Sequence, residues 1–145
     1  MSALTANERK VVYTAEVVNQ GGREGTAESE NGGLRVSLVP PSQSEDGHEG
    51  TNPEQLYAAA YGACFHAALD NAAEKAGFPI KGSTVTARVT LYEDHQGGYE
   101  LGVELRASLP GIPEAQAERL LHQAHTTCPY SKAVRGNVDV RLTLD

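Results

Sequence analysis

Only two cysteines occur among 145 residues, and tryptophan is absent. So few thiols exclude a disulfide-stapled scaffold, which needs several pairs. Positive charge is scarce as well: Lys and Arg number 12 against 19 Asp and Glu, a formal net charge of −7. Phosphate-backbone binding needs clustered positive charge, so no nucleic-acid partner is expected. No apolar run reaches the roughly 20 residues of a membrane span, so no membrane partner is expected. The opening MSALTANERK lacks the apolar stretch of a signal peptide. These absences point to a cytoplasmic chain whose length suits a single domain, 1–145. In a reducing compartment, two cysteines are buried apolar residues, metal ligands or a redox pair.

Apolar periodicity gives the elements. VVYTAEVVN (11–19) alternates Val11, Tyr13, Ala15 and Val17 and reads as a strand. GTAESE (25–30), the turn signal NGG and LRVSLV (34–39) extend it to a three-stranded antiparallel meander. PPSQSEDGHEG (40–50) is rich in turn formers and reads as a loop. Asn52 then suits an N-cap and Pro53 the first helical position, with Gln55 placed for a capping box. The helix should run to about Lys75 and stop near Gly77. It is apolar over much of its circumference at 56–69, so cover on several sides, and hence a dimer, is expected. STVTARVTLY and YELGVELRASL form two further strands, PEAQAERLLHQAHTTC a second helix and NVDVRLTLD a last strand. The order βββ-α-ββ-α-β makes the fold α+β.

The thiols admit three readings at this point. Cys64 sits among alanines and could be a plain core residue. His122, His125 and Cys128 recur every third residue and, with Cys64, offer a two-His, two-Cys set suited to zinc. Alternatively the two cysteines form a catalytic redox pair. That reading demands a nearby basic group, because an apolar helical setting raises a thiol pKa.

TNPEQLYAAAYGACF (51–65) and AHTTCPYSKAVRGNVDV (124–140) closely resemble signature segments of the organic hydroperoxide resistance proteins, the thiol-peroxidase branch of the OsmC/Ohr superfamily. YTAEVVNQGGREGTAES and ELRASLPGIP resemble the same branch, so the likeness spans essentially the whole chain. The resemblance implies an OsmC-like α+β fold: antiparallel sheets with two central helices, in an intertwined homodimer with active sites at the subunit interface. It implies that Cys64 is the peroxidatic and Cys128 the resolving cysteine, joined as a disulfide during turnover. It further implies that Arg23 stabilises the Cys64 thiolate and that Glu54 holds Arg23. Organic hydroperoxides, including fatty-acid ones, are the implied substrates, and a dihydrolipoyl group on a lipoylated protein the implied external reductant. No bound cofactor and no metal is implied. Tyr57, Tyr61 and Phe65, close to Cys64 in sequence, are expected to help line a pocket for an alkyl or acyl chain. A non-catalytic zinc- or ligand-binding dimer on the same scaffold is the alternative.

The chemistry suits these roles. A guanidinium stays charged and can pair with a carboxylate while facing a thiolate. The same charge can stabilise the alkoxide leaving a broken O–O bond. Without the resemblance, Arg23 reads as a solvated turn residue and Glu54 as a first-turn helix acid. Glu54 and Cys64 are ten positions apart, about 15 Å along a straight helix at ~1.5 Å per residue. Either the helix breaks, near Gly62, or Glu54 serves the partner subunit's Cys64. Five positions depart from the family pattern: Tyr57 for phenylalanine, Ala60 for glycine, His66 for an apolar residue, and Lys132 and Val134, which do not touch the thiol chemistry. A two-residue offset turns His66 away from Cys64. Cys128, at a helix end, is expected to move to reach Cys64.

Overall fold

The computed structural model describes residues 9–41 and 50–145. The loop expected over 40–50 therefore lies mostly outside the described residues. The chain divides into two compact units, Met1–Asn52 and Pro53–Asp145.

In the first unit, β1 (Val17–Gln20), β2 (Thr26–Ser29) and β3 (Arg35–Ser37) form an antiparallel sheet in the order β1-β2-β3. The meander is as expected, but β1 starts six residues later than its alternation suggested. Its partner β2 covers only Val17–Gln20, so Val11 and Tyr13 have no strand opposite them among the described residues, and both are exposed. Between β1 and β2, a one-turn 3-10 segment (Gly22–Glu24) carries Arg23. That turn closes tightly. A Cβ on Gly25 would fall 1.6 Å from the Gln20 carbonyl oxygen, so only glycine fits there.

The second unit packs helices on one sheet. α1 (Pro53–Lys75) is one unbroken helix of 23 residues, opening at Pro53 as its sequence predicts. Phe78 N–H returns to the Ala73 carbonyl beyond its end, with Gly77 at φ +78°. Tyr61, Phe65, Leu69, Ala72 and Ala73 are buried at spacings of four, four, three and one, the stripe of a helix covered on one side. Ala59, Ala63 and Ala67 on the other side are exposed, so within this chain α1 lacks the cover on several sides expected of it.

β4 (Thr84–Glu93) pairs antiparallel with β5 (Tyr99–Ser108). β6 (Asp139–Leu144) pairs with β5 in parallel, departing from the antiparallel pattern. The reason is the connection. The chain leaves β5, crosses through α2 (Glu114–Thr127) and α3 (Pro129–Val134), and returns in the same direction. Register keeps one face apolar: Val85 opposes Ala107, Ala87 opposes Leu105, and Val89 opposes Val103. Val140, Leu142 and Leu144 continue these rows on β6. This face joins the α1 stripe and Leu120, Leu121 and Ala124 of α2 in one core. A Cβ on Gly62 would meet that of Ala87 at 3.4 Å, so α1 lies close on β4. No helix among the described residues is long and apolar enough to cross a membrane.

Candidate active site

Cys128 sits where two helices meet. Its N–H donates to the Ala124 carbonyl at 2.8 Å, closing α2, and its carbonyl accepts from the Lys132 N–H at 3.0 Å, opening α3. Pro129 explains both events. It lacks the N–H needed to continue α2, and its fixed φ suits the first position of a new helix. Only the first was expected from the sequence, and α3 was missed, being too short to show a period.

The junction carries the Cys128 thiol into the core, where the residue is fully buried. Cys64, at the start of the fourth turn of α1, is half-buried. The Cys128 and Cys64 sulfurs lie 3.5 Å apart, within thiol hydrogen-bond distance. Both cysteines are free thiols. The motion expected of Cys128 is thus small. A disulfide has an S–S length of about 2.05 Å, so the sulfurs need close by only about 1.5 Å.

Burial pushes the Cys64 thiol pKa up, and its hydrogen bond and charge interaction with Cys128 add to this. The backbone N–H of Tyr130 pulls it the other way. Three rings gather beside the thiols: Tyr57 stacks on Tyr61 at 6.0 Å, and Tyr130 tilts against both. Tyr61 is fully buried, and its hydroxyl bonds Ser131 Oγ at 2.7 Å. Burial raises the Tyr57 and Tyr61 pKa values, so both phenols are neutral at neutral pH. Phe65, expected with them in a pocket wall, is fully buried in the core cluster.

Ser131 also bonds His125 Nδ1 at 2.8 Å, and an Arg135 Nη2 donates to the His125 carbonyl at 2.8 Å. Burial, then the charges of Arg135 and His122, lower the His125 pKa. His125 is therefore engaged with Ser131, while His122 is exposed. Among the described residues, no three of His, Cys, Asp and Glu gather as a metal set. His66 Nε2 bonds Ser83 Oγ at 2.9 Å, one residue before β4. Glu54 is in the first turn of α1, and Arg23 lies exposed on its turn in the first unit. Sequence reasoning missed Ser131 and Tyr130. The only signal for them was Pro129, whose capacity to start a helix would have put both on its first turn.

The family model described as OsmC-like protein matches residues 45–143. The organic hydroperoxide resistance protein OhrB of Bacillus subtilis (strain 168) is 42% identical over 134 residues, covering 92% of this chain and 98% of that protein. The organic hydroperoxide resistance protein of Xanthomonas axonopodis pv. citri is 41% identical over 140 residues, covering 96% and 99%. The crystal structure of Bacillus subtilis OhrB superposes with a TM-score of 0.87, covering 93% of this chain and 100% of that one. That of an organic hydroperoxide resistance protein from Legionella pneumophila gives 0.85 at 40% identity, covering 94% and 99%.

Proposed function

Because the chain belongs to the OsmC-like family, in its organic hydroperoxide resistance branch, we propose that it is a cysteine-based peroxidase acting on organic hydroperoxides. The observation that carries this is the thiol pair, 3.5 Å apart, one sulfur half-open and the other sealed in the core. The Cys64 thiolate attacks the terminal oxygen of the hydroperoxide. The O–O bond breaks, the alkoxide leaves and takes up a proton as the alcohol, and Cys64 becomes a sulfenic acid. Cys128 then displaces hydroxide to give the Cys64–Cys128 disulfide. A dihydrolipoyl group on a lipoylated protein returns both thiols, becoming the cyclic disulfide itself.

Arg23 supplies the positive charge that the first step needs. Its guanidinium offsets the burial that raises the Cys64 pKa and stabilises the departing alkoxide. Glu54 orients that guanidinium. Since α1 is unbroken from Pro53 to Lys75, Glu54 is about 15 Å along the axis from Cys64 of its own chain. Of the two options posed by the sequence, the unbroken helix supports the second. The carboxylate serves the partner subunit's Cys64, in a homodimer whose two α1 helices meet over the exposed Ala59, Ala63 and Ala67. Tyr57 and Tyr130, packed over the fully buried Tyr61, form the apolar side of the site, which suits an alkyl or acyl chain better than hydrogen peroxide.

The test is a peroxidase assay with dihydrolipoamide, comparing tert-butyl hydroperoxide with hydrogen peroxide. Faster turnover of the organic substrate, lost in Cys64→Ser, is expected. Turnover that survives Cys64→Ser sinks the reading.

A further inference from the structure

Three hydrogen bonds converge around the short helix that follows Cys128, and none involves a sulfur. Ser131, fully buried on α3, bonds Tyr61 of α1 at 2.7 Å and His125 of α2 at 2.8 Å. Arg135, at the far end of α3, donates to the His125 carbonyl at 2.8 Å. The spacing is regular: Tyr61 precedes Cys64 by three residues, His125 precedes Cys128 by three, and Ser131 follows Cys128 by three. One hydroxyl thus ties together a turn next to each thiol. A hydroxyl has one donor and two acceptor sites, so Ser131 can satisfy the phenol and the imidazole at once. α3 has only six residues, too few to hold its own shape without tertiary contacts. Its place, and with it the Cys128 sulfur at its start, depends on these anchors.

We propose that Ser131 is the positioning residue for disulfide formation, holding Cys128 against Cys64 through its bonds to Tyr61 and His125. The inference rests on the peroxidase reading and assigns a role within its second step. In that step the Cys128 sulfur attacks the Cys64 sulfenic sulfur. An S–S bond forms and the S–O bond breaks. Hydroxide leaves with the Cys128 thiol proton as water, so no further oxidant or reductant is needed. The step competes with a second hydroperoxide, which would take the sulfenic acid to a sulfinic acid that the disulfide cycle does not recover. Reacting atoms held about 3–3.5 Å apart are in attack range, and a displacement of about 1 Å can cost on the order of a hundredfold in rate. The 3.5 Å between the sulfurs is at the edge of that range. A small drift of α3 would therefore slow resolution without touching the attack of Cys64 on peroxide.

The test separates the two steps in the full chain. The protein is mixed rapidly with tert-butyl hydroperoxide. Sulfenic acid is trapped with dimedone, and disulfide and sulfinic acid are followed by intact mass. In Ser131→Ala, disulfide formation should slow by about tenfold or more, with the dimedone adduct building up and sulfinic Cys64 appearing at excess peroxide. With dihydrolipoamide, kcat should fall while kcat/KM for the hydroperoxide holds. Ser131→Thr, which keeps the hydroxyl, should restore the disulfide rate. If Ser131→Ala closes the disulfide as fast as the unaltered chain, or slows both steps alike, the positioning role is overturned. Should Ser131→Ala fail to fold, His125→Ala removes one anchor from a half-buried position, and the same split decides the matter. An unaltered chain that forms no disulfide overturns the peroxidase reading itself, and the positioning role with it.

Discussion

The Cys128 sulfur lies 3.5 Å from the Cys64 sulfur, aimed at it by a helix junction that Pro129 creates. The pair is therefore close to bonding distance before any oxidant arrives. Little of the protein has to rearrange between the dithiol and the disulfide.

One equivalent of tert-butyl hydroperoxide should convert both thiols to an intramolecular disulfide, seen as the loss of two hydrogens by intact mass. Before oxidation, a maleimide should modify Cys64 much faster than the fully buried Cys128, and denaturation should remove the difference.

The pH dependence of the first step follows from the Cys64 environment. Burial and Cys128 raise the thiol pKa, the Tyr130 N–H lowers it, and under the proposed mechanism Arg23 lowers it further. The reactive thiolate grows as pH rises through that pKa, so alkylation by iodoacetamide should speed up with pH. In Arg23→Ala the inflection should move to higher pH. Each pH unit of movement costs about tenfold in rate at neutral pH.

His125 should make stability sensitive to mild acid. Its folded pKa is lowered, chiefly by burial and then by Arg135 and His122. The unfolded chain takes up the proton first, near the ordinary value of 6.5. Stability is therefore intact above that pH and lost as pH falls toward the folded value. His125→Asn keeps a polar atom near the Nδ1 position but cannot titrate. The fall in Tm between about pH 7 and pH 5 should be shallower in that variant than in the unaltered chain.

Phe65 and Tyr57 should respond differently to truncation. Phe65 is fully buried in the core, so Phe65→Ala should cost about 3–5 kcal/mol, measured by chemical denaturation. Tyr57 is only half-buried. Tyr57→Ala should cost less stability and show itself in the relative rates with short and long alkyl hydroperoxides.

Much of this arrangement could be read from the chain. The start of α1 at Pro53 and its end near Gly77 are marked by residues with one backbone meaning. The strands of the second sheet announce themselves by alternation, Val85 to Leu91 and Leu101 to Ala107. Alternation fails at Val11 and Tyr13, because a pattern records which side chains are apolar and not whether a partner strand is present. It fails again at β6, whose direction is set by the helical crossover and not by its own residues. At the site, the cysteines stand out through the motifs around them. The Tyr61–Ser131 bond joins residues 70 apart, a relation that no local spacing encodes. His125 shows the same limit. Its interval to Cys128 suggests a metal ligand, whereas its Nδ1 faces a serine.

The unequal burial of the two sulfurs gives the pair a polarity. Under the proposed mechanism, a dithiol approaching the disulfide meets half-buried Cys64 first, with Cys128 behind it in the core. Thiol–disulfide exchange depends on which sulfur is attacked and which leaves. Under the proposed mechanism this burial favours attack at Cys64, which then carries the mixed disulfide while Cys128 is the leaving thiol. Under the same mechanism electrons both leave and enter the pair through Cys64, and the helix junction keeps Cys128 from the peroxide and the reductant alike.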